Sequence, residues 1–324
     1  MFIDTNNTNI WNKEEIITYC CKQISKNDNI NLKLDIDGPC LLTNGLYAIL
    51  DKLCDNFNYE KSKISIQTAN LVEKHNEYKI EVVPTTAYQN IFLNYSLPDI
   101  KKDFTKPFKH FLNFVGHGNP ARLRIASYLF AQHKEKTLQT YHINIKDLEY
   151  SRPHISLEDV MTFLDVDRTE ILNATHFLLE CPIRLDEITL PILNPRGLEL
   201  MKYYKLGFID IVNCSFYSGN TFHLDEKILR PIFTKTPFLV QGPDHFLTRL
   251  KKIGFKTFSN YWDEGYNEDP ADYQIREIFL LIDKISQYNA ADLEKMYDDM
   301  TPILEHNYNL ARELDNEKIK KIIG

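Results

Sequence analysis

A two-lobed α/β fold is predicted by three features of this 324-residue chain. Apolar runs of strand length alternate with helical patterns at a spacing of about 30 residues, the rhythm of βαβ units. The alternation is interrupted by a polar, Pro-containing stretch, Ser96–Pro107, that reads as a linker. It then starts afresh, and the chain closes on two helical patterns.

In the first unit, Ile30–Ile36 reads as a strand, Asp37-Gly38-Pro39 as a turn, Asn44–Asp55 as a helix and Lys63–Thr68 as a strand. A further strand is expected at Tyr78–Val83. The second unit opens with a strand at Phe111–Gly116. Asn119 is a suitable cap for a helix over Pro120–His133, and a strand follows at Leu138–Ile143. The pattern then weakens, with a helical patch near Leu157–Leu164 and a buried-looking patch near Thr175–Leu179. From Pro195 it resumes as a buried strand from Phe208, a short helix opened by Asp225-Glu226-Lys227, and a strand ending at Gly242-Pro243. A helix over Asp244–Lys252 and a short strand through Phe255 come next, then helices over Asp272–Tyr288 and Ala291–Leu314. The expected architecture is two Rossmann-like lobes facing a cleft, residues 1–105 and 106–290, with a helical tail, 291–324, that returns to the first lobe.

Composition narrows the function classes. A hydrophobic share of 43% and an aromatic share of 12% support an ordinary core. The net charge of -7 argues against a general nucleic-acid binder, so any anion site must be a local basic cluster. No stretch approaches the roughly 18 apolar residues of a membrane span. The N-terminus lacks the basic start and apolar run of a secretion signal. Cys20, Cys21, Cys40, Cys54, Cys181 and Cys214 show no CxxC spacing, which predicts free thiols in a reducing, cytoplasmic setting, not disulfides or zinc ligands.

The most informative chemistry lies at Leu224-Asp225-Glu226-Lys227. Asp225 suits an N-cap, and acidic residues favour a first helical turn, so helix stability alone accounts for Asp225 and Glu226. Lys227 is unfavourable at a positive helix end unless an anion is nearby. Pro231 shortens or kinks the same helix. At the carboxyl end of a strand, a carboxylate beside an ammonium suits a ribose hydroxyl next to a diphosphate.

The run Thr221-Phe222-His223-Leu224-Asp225-Glu226-Lys227, followed by Thr236-Pro237-Phe238-Leu239-Val240-Gln241-Gly242-Pro243, resembles the donor-site block of fucosyltransferase-like glycosyltransferases. It is also similar to a looser set of uncharacterised viral and bacterial glycosyltransferase-like proteins. Their block continues into Gly-Phe-Lys-Thr-Phe and an acidic Asp-Glu-x-Tyr stretch; this chain has Gly254-Phe255-Lys256-Thr257-Phe258 and Asp263-Glu264-Gly265-Tyr266, then Arg276 on the following helix. The resemblance covers about 70 residues well and implies a GT-B arrangement that holds a nucleotide-diphosphate sugar without a bound metal. By that likeness Glu226 faces the ribose and Lys227 the diphosphate, with Asn213 and Gly242 at the ends of the flanking strands. Two departures stand out: Asp225 where Thr is usual, and Asn213-Cys214 where an acidic residue is usual.

A second patch, Gly116-His117-Gly118-Asn119-Pro120-Ala121-Arg122-Leu123-Arg124, is similar to the Arg-containing helix start that opens the donor lobe in the same set. Small residues between strand and helix allow close backbone approach to a phosphate, although plain turn-and-cap structure would use them too. Arg122 and Arg124 diverge on a regular helix, so one of them, Arg122 for preference, faces the ligand. His117 is a candidate base or substrate contact.

Asp35-Ile36-Asp37-Gly38 is similar to the opening motif of haloacid-dehalogenase-like phosphatases, which need Mg²⁺; here Pro39 replaces the usual Thr. Asp37 is alternatively the base that activates an acceptor. Asp35/Asp37 and Asp165/Asp167 also match the short Asp-x-Asp metal motif of GT-A enzymes, but Asp165–Arg168 reads as the solvent-facing end of a helix. Trp262 and Tyr266 either lie under the donor or belong to the core, and His306 is expected at the surface.

The leading expectation is a metal-independent, inverting glycosyltransferase that needs no cofactor and moves a sugar from a nucleotide-diphosphate sugar to a glycan or other hydroxyl acceptor. Lys227 with Arg122 or Arg124 would hold the phosphates, and Asp37 would serve as base. The alternatives are a non-catalytic binding or virion-associated protein of the same fold, and the phosphatase.

Overall fold

The structure, a computed structural model, describes residues 2–3, 13–34, 38–85, 87–94, 100–104, 108–116, 118–142, 167–185, 195–217 and 219–323. It is a mixed α/β protein with two parallel sheets, each in its own compact unit. Unit 1 comprises Met1–Ala87, Ser218–Asp225 and Leu314–Gly324; unit 2 comprises Tyr88–Tyr217 and Glu226–Glu313.

In unit 1, β1 (Phe2–Ile3), β2 (Ile30–Leu34), β3 (Ile64–Thr68) and β4 (Lys79–Val82) pair in parallel and in chain order. The sequence Ile-Asn-Leu-Lys-Leu explains how β2 sits. Ile30, Leu32 and Leu34 are buried while Asn31 and Lys33 are exposed, the period-two pattern of a strand covered on one face. That face packs on Ile16 and Cys20 of α1 (Lys13–Ile24) and on Leu46 and Leu50 of α2 (Leu46–Phe57). α2 stops at Asn58, which takes the left-handed conformation at φ 48° and donates its N–H to Cys54 O.

The 219–225 segment is tied into this unit by Asn70, just past β3. The Asn70 side-chain oxygen accepts from Phe222 N and Val72 N, and its Nδ2 donates to Asn220 O and to buried Glu73. Glu73 also accepts from Tyr47 Oη and Leu41 N. No sequence pattern announces this amide-carboxylate clamp.

In unit 2, β5 (Lys109–Val115), β6 (Thr137–Tyr141), β7 (Gly207–Asn213) and β8 (Phe238–Gln241) form a parallel sheet of order β6-β5-β7-β8. β7 is buried along its whole length, as a strand covered on both faces must be. On one face Val115 and Tyr141 pack with Leu123 and Ala126 of α4 (Pro120–His133) and Phe177 of α5 (Arg168–Glu180). The opposite face carries Asp210, whose carboxylate accepts from Tyr204 Oη at 2.5 Å; Tyr204 belongs to the 3-10 stretch Pro195–Leu206.

The other α-helices among the described residues of this unit are α3 (Ala87–Asn94), α6 (Glu226–Phe233), α7 (Phe246–Lys252), α8 (Ala271–Ser286) and α9 (Ala290–Glu313), and α10 (Asn316–Ile323) follows in unit 1.

Several expectations are corrected. Asp167, expected at the end of a helix, caps the start of α5, its side chain accepting from Thr169 N at 3.0 Å. Phe255 is buried but not in a strand. Gly254 before it has φ 103°, and Asn307 of α9 holds the main chain of Lys256 through two 2.8 Å hydrogen bonds. α7 begins at Phe246, two residues later than expected, because His245 is left-handed at φ 62°. The stretch expected as a linker contains buried Lys102, whose Nζ donates to Tyr204 O, Gly207 O and Thr236 Oγ1 at 2.6–2.8 Å. The Leu157–Leu164 patch lies outside the described residues.

All six cysteines are free, and five of them are buried. No helix among the described residues is long and apolar enough to cross a membrane.

Candidate functional site

Strand order marks a candidate site within unit 2. From β5 the chain crosses to β6 on one side, and β7 then pairs on the other side of β5. The connections therefore leave the carboxyl ends of β5 and β7 in opposite directions, opening the crevice where ligands settle in open α/β sheets. Among the described residues, the unit 1 sheet runs in strict chain order and shows no such point.

The first turn of α4 stands at this crevice. Asn119 caps it by accepting from Arg122 N at 2.8 Å, and Pro120 fills the first turn, where a missing N–H costs nothing. No acidic side chain occupies that turn. Arg122 instead brings a buried guanidinium to the positive end of the helix, an arrangement that favours a nearby anion. Its Nη2 donates to Asn213 O at 3.0 Å and to Ser215 Oγ at 3.4 Å, spanning from the β5 side to the end of β7. Arg124 turns the other way and forms an ion pair with Glu170 of α5 at 2.7 Å. The two arginines thus diverge, and Arg122 is the one at the crevice.

The end of β7 is built from amides. Asn213 Nδ2 donates to Asn113 Oδ1 at 2.8 Å and to Ile211 O at 2.9 Å, and Asn113 Nδ2 donates to Gln139 Oε1 at 3.1 Å. All three side chains are buried. Asn213 Oδ1, and both polar side-chain atoms of its register neighbour Gln241, have no hydrogen-bond partner among the described residues. Gly242 serves close packing: a Cβ there would lie 2.8 Å from Cys214 Sγ.

α6 opens with Glu226 and Lys227, both partly buried, and their side chains pair at 2.6 Å. Farther along the helix, Arg230 acts on Asp210 electrostatically. Burial raises the Asp210 carboxyl from its ordinary 3.8 to about 6, against the opposing pull of Arg230, the Tyr204 hydrogen bond and Lys102. Burial pushes the Lys102 amine well below its usual range.

Other expected residues fall elsewhere. Asp35, Asp37 and His117 lie outside the described residues. Asp225 is buried, 4.0 Å from His223 Nε2. Tyr266 is a core residue whose hydroxyl accepts from Val240 N at 3.2 Å, and Trp262 packs against Phe258. His306 bonds Gly254 O at 2.9 Å. Glu264 is buried and accepts from Thr257 Oγ1 and Phe258 N, so it knits the Gly254–Phe258 and Asp263–Tyr266 blocks together.

Two residues at this edge escaped the sequence reading. Ser215 touches Arg122, and His142 directly follows β6, where burial lowers its imidazole below the usual value. Position just past a strand is the signal that marks both.

No group of three or more His, Cys, Asp or Glu side chains arranged to hold a metal occurs among the described residues. No protein-family model matches the chain, and no curated protein matches it.

Proposed function

We propose that the chain is a glycosyltransferase of GT-B type with Rossmann-like lobes, moving a sugar from a nucleotide-diphosphate sugar to an acceptor hydroxyl without a bound metal. One arrangement carries the reading: the Arg122 guanidinium reaches across the β5–β7 switch point, to Asn213 O, from a helix start that has no acidic side chain. A diphosphate at that edge would meet the α4 N–H groups and this cation. The likeness of the Glu226–Lys227 helix start to the donor block of fucosyltransferase-like enzymes supplies the sugar-transfer part. A diphosphate would draw Lys227 from Glu226, leaving the carboxylate to accept from a ribose.

Charge that develops on the departing diphosphate would be offset by Lys227 and Arg122, at about 3–4 kcal/mol per well-placed donor. Asp37 lies outside the described residues and takes no role in this scheme. The phosphatase alternative depends on Asp35 and Asp37 and gains no support.

One observation favours a binding protein without transfer. Where the enzymes it resembles carry an acidic residue, Asn213 is committed through its Nδ2 to Asn113 and Ile211.

Release of nucleoside diphosphate from a panel of nucleotide sugars, with a broad acceptor panel and EDTA present, distinguishes the two. Transfer is expected to persist in EDTA and to fall in Lys227→Ala. Binding without release would support the non-catalytic reading. A Lys227→Ala protein that binds and turns over donor like wild type would remove the assigned site.

A further inference from the structure

A second polar constellation lies one strand further along the same edge. Four residues past the end of β8, His245 takes the left-handed conformation, φ 62° and ψ 18°, a position that costs a non-glycine residue about 1–2 kcal/mol. The main chain is held there from both sides. His245 N donates to Asn267 O at 2.8 Å, and Leu247 N donates to Asn267 Oδ1 at 2.6 Å. The imidazole Nδ1 bonds Glu268 Oε2, and the other carboxylate oxygen of Glu268 accepts from Thr248 Oγ1 at 2.6 Å.

Both carboxylate oxygens are thereby occupied. Thr248 first, and then His245, hold Glu268 below the ordinary carboxylate range despite some desolvation, so it stays ionised beside the ring. A carboxylate at Nδ1 fixes the tautomer that carries its proton there and leaves Nε2 as the acceptor. Nε2 makes no hydrogen bond among the described residues, and the side chain is 50% exposed. This is the carboxylate–imidazole relation of a general base, with an orienting acid on one nitrogen and an open lone pair on the other.

Placement agrees with chemistry at this edge. Cys214 N donates to Gln241 O at 2.9 Å, so the carboxyl ends of β7 and β8 are hydrogen-bonded neighbours. Adjacent strands lie about 4.8 Å apart, a short step for a ligand as long as a nucleotide-diphosphate sugar.

We propose that His245 is the proton acceptor for the hydroxyl that attacks the sugar, and that Glu268 is its positioning residue. The proposal rests on the glycosyl-transfer reading above. In the step, the acceptor O–H proton passes to His245 Nε2 while the acceptor oxygen forms a bond to the anomeric carbon. The bond from that carbon to the diphosphate breaks, its electron pair leaves on the phosphate oxygen, and the imidazolium later returns its proton to water.

The test uses the full chain, a panel of UDP-, GDP-, CDP- and ADP-sugars and a broad panel of hydroxyl acceptors, reading donor binding by thermal shift and nucleoside diphosphate release by turnover. His245→Asn keeps a residue that tolerates the left-handed conformation. It is expected to bind donor as wild type does and to lose turnover by about 100-fold or more. For Glu268→Ala, which removes the acceptor at Nδ1, long-range proton–nitrogen spectra of ¹⁵N-histidine-labelled protein are expected to lose the single Nδ1-protonated tautomer of His245, with a smaller loss of turnover.

Wild-type turnover in His245→Asn, wild-type protein that binds donor without releasing diphosphate, or an unchanged tautomer in Glu268→Ala overturns the proposal. Loss of donor binding in His245→Asn makes the residue a binding contact and overturns it as well. Failure of wild-type protein to bind any donor overturns the functional reading itself, and the proposal with it.

Discussion

Arg122 Nη2 lies 3.0 Å from the carbonyl oxygen of Asn213, joining the first turn of α4 to the carboxyl end of β7 by a buried, charge-assisted hydrogen bond. Two residues further on, Arg124 spends its charge on Glu170. The two arginines thus hold different elements, Arg122 the end of β7 and Arg124 the start of α5.

Arg122→Ala removes a charged hydrogen bond and is expected to cost about 1.5–3 kcal/mol, while also abolishing stabilisation by nucleoside diphosphates. Arg124→Ala strands the partly exposed Glu170 and should cost about 2–3 kcal/mol, leaving the ligand response in place. Urea denaturation with and without nucleoside diphosphate checks both. An intact ligand response in Arg122→Ala would assign that arginine to structure alone.

Asp210 gives a pH signature. Its carboxyl is raised from 3.8 to about 6 on folding, chiefly by burial. A carboxyl raised on folding contributes stability that is fully present below its unfolded value and is lost as pH rises through its folded value. Wild-type protein should therefore lose stability relative to Asp210→Asn between about pH 4 and pH 7, by roughly 3 kcal/mol in all. Chemical denaturation of both proteins across that interval measures the difference. A gap that stays constant with pH would show that Asp210 titrates alike in the folded and unfolded chain.

Tyr266 sits in the resembling block and was a candidate ligand contact, yet its hydroxyl accepts from Val240 N inside the core. Tyr266→Phe should cost about 1–2 kcal/mol by leaving that N–H without its acceptor, with no change in nucleotide binding. Thermal denaturation and a binding titration test the two halves separately.

Parts of this fold are legible wherever a local rule decides. Asn119-Pro120 marks the start of α4, and the helix spans Pro120–His133 as the sequence indicates. The alternation in Ile30–Leu34 gives both a strand and its single covered face. Long-range partners are not legible in this way. Glu170, which claims Arg124, lies 46 residues away, and Asn113, which holds the Asn213 amide, lies 100 residues away. Left-handed His245 and the hold of Asn307 on Lys256 shift or remove elements that local propensity favours. Of the candidate site, the arginine at the helix start and the Glu226–Lys227 pair could be found from sequence. The amide row, Ser215 and the His245–Glu268 dyad depend on strand order and tertiary contact.

The most direct measurement is a thermal-shift panel of UDP, GDP, CDP and ADP with their sugars, run with Mg²⁺ and with EDTA, on wild-type and Lys227→Ala protein. A donor site on unit 2 predicts stabilisation by one nucleoside series, insensitive to EDTA and lost in Lys227→Ala. Well-folded wild-type protein that shifts with none of these ligands would contradict the proposed nucleotide-sugar function.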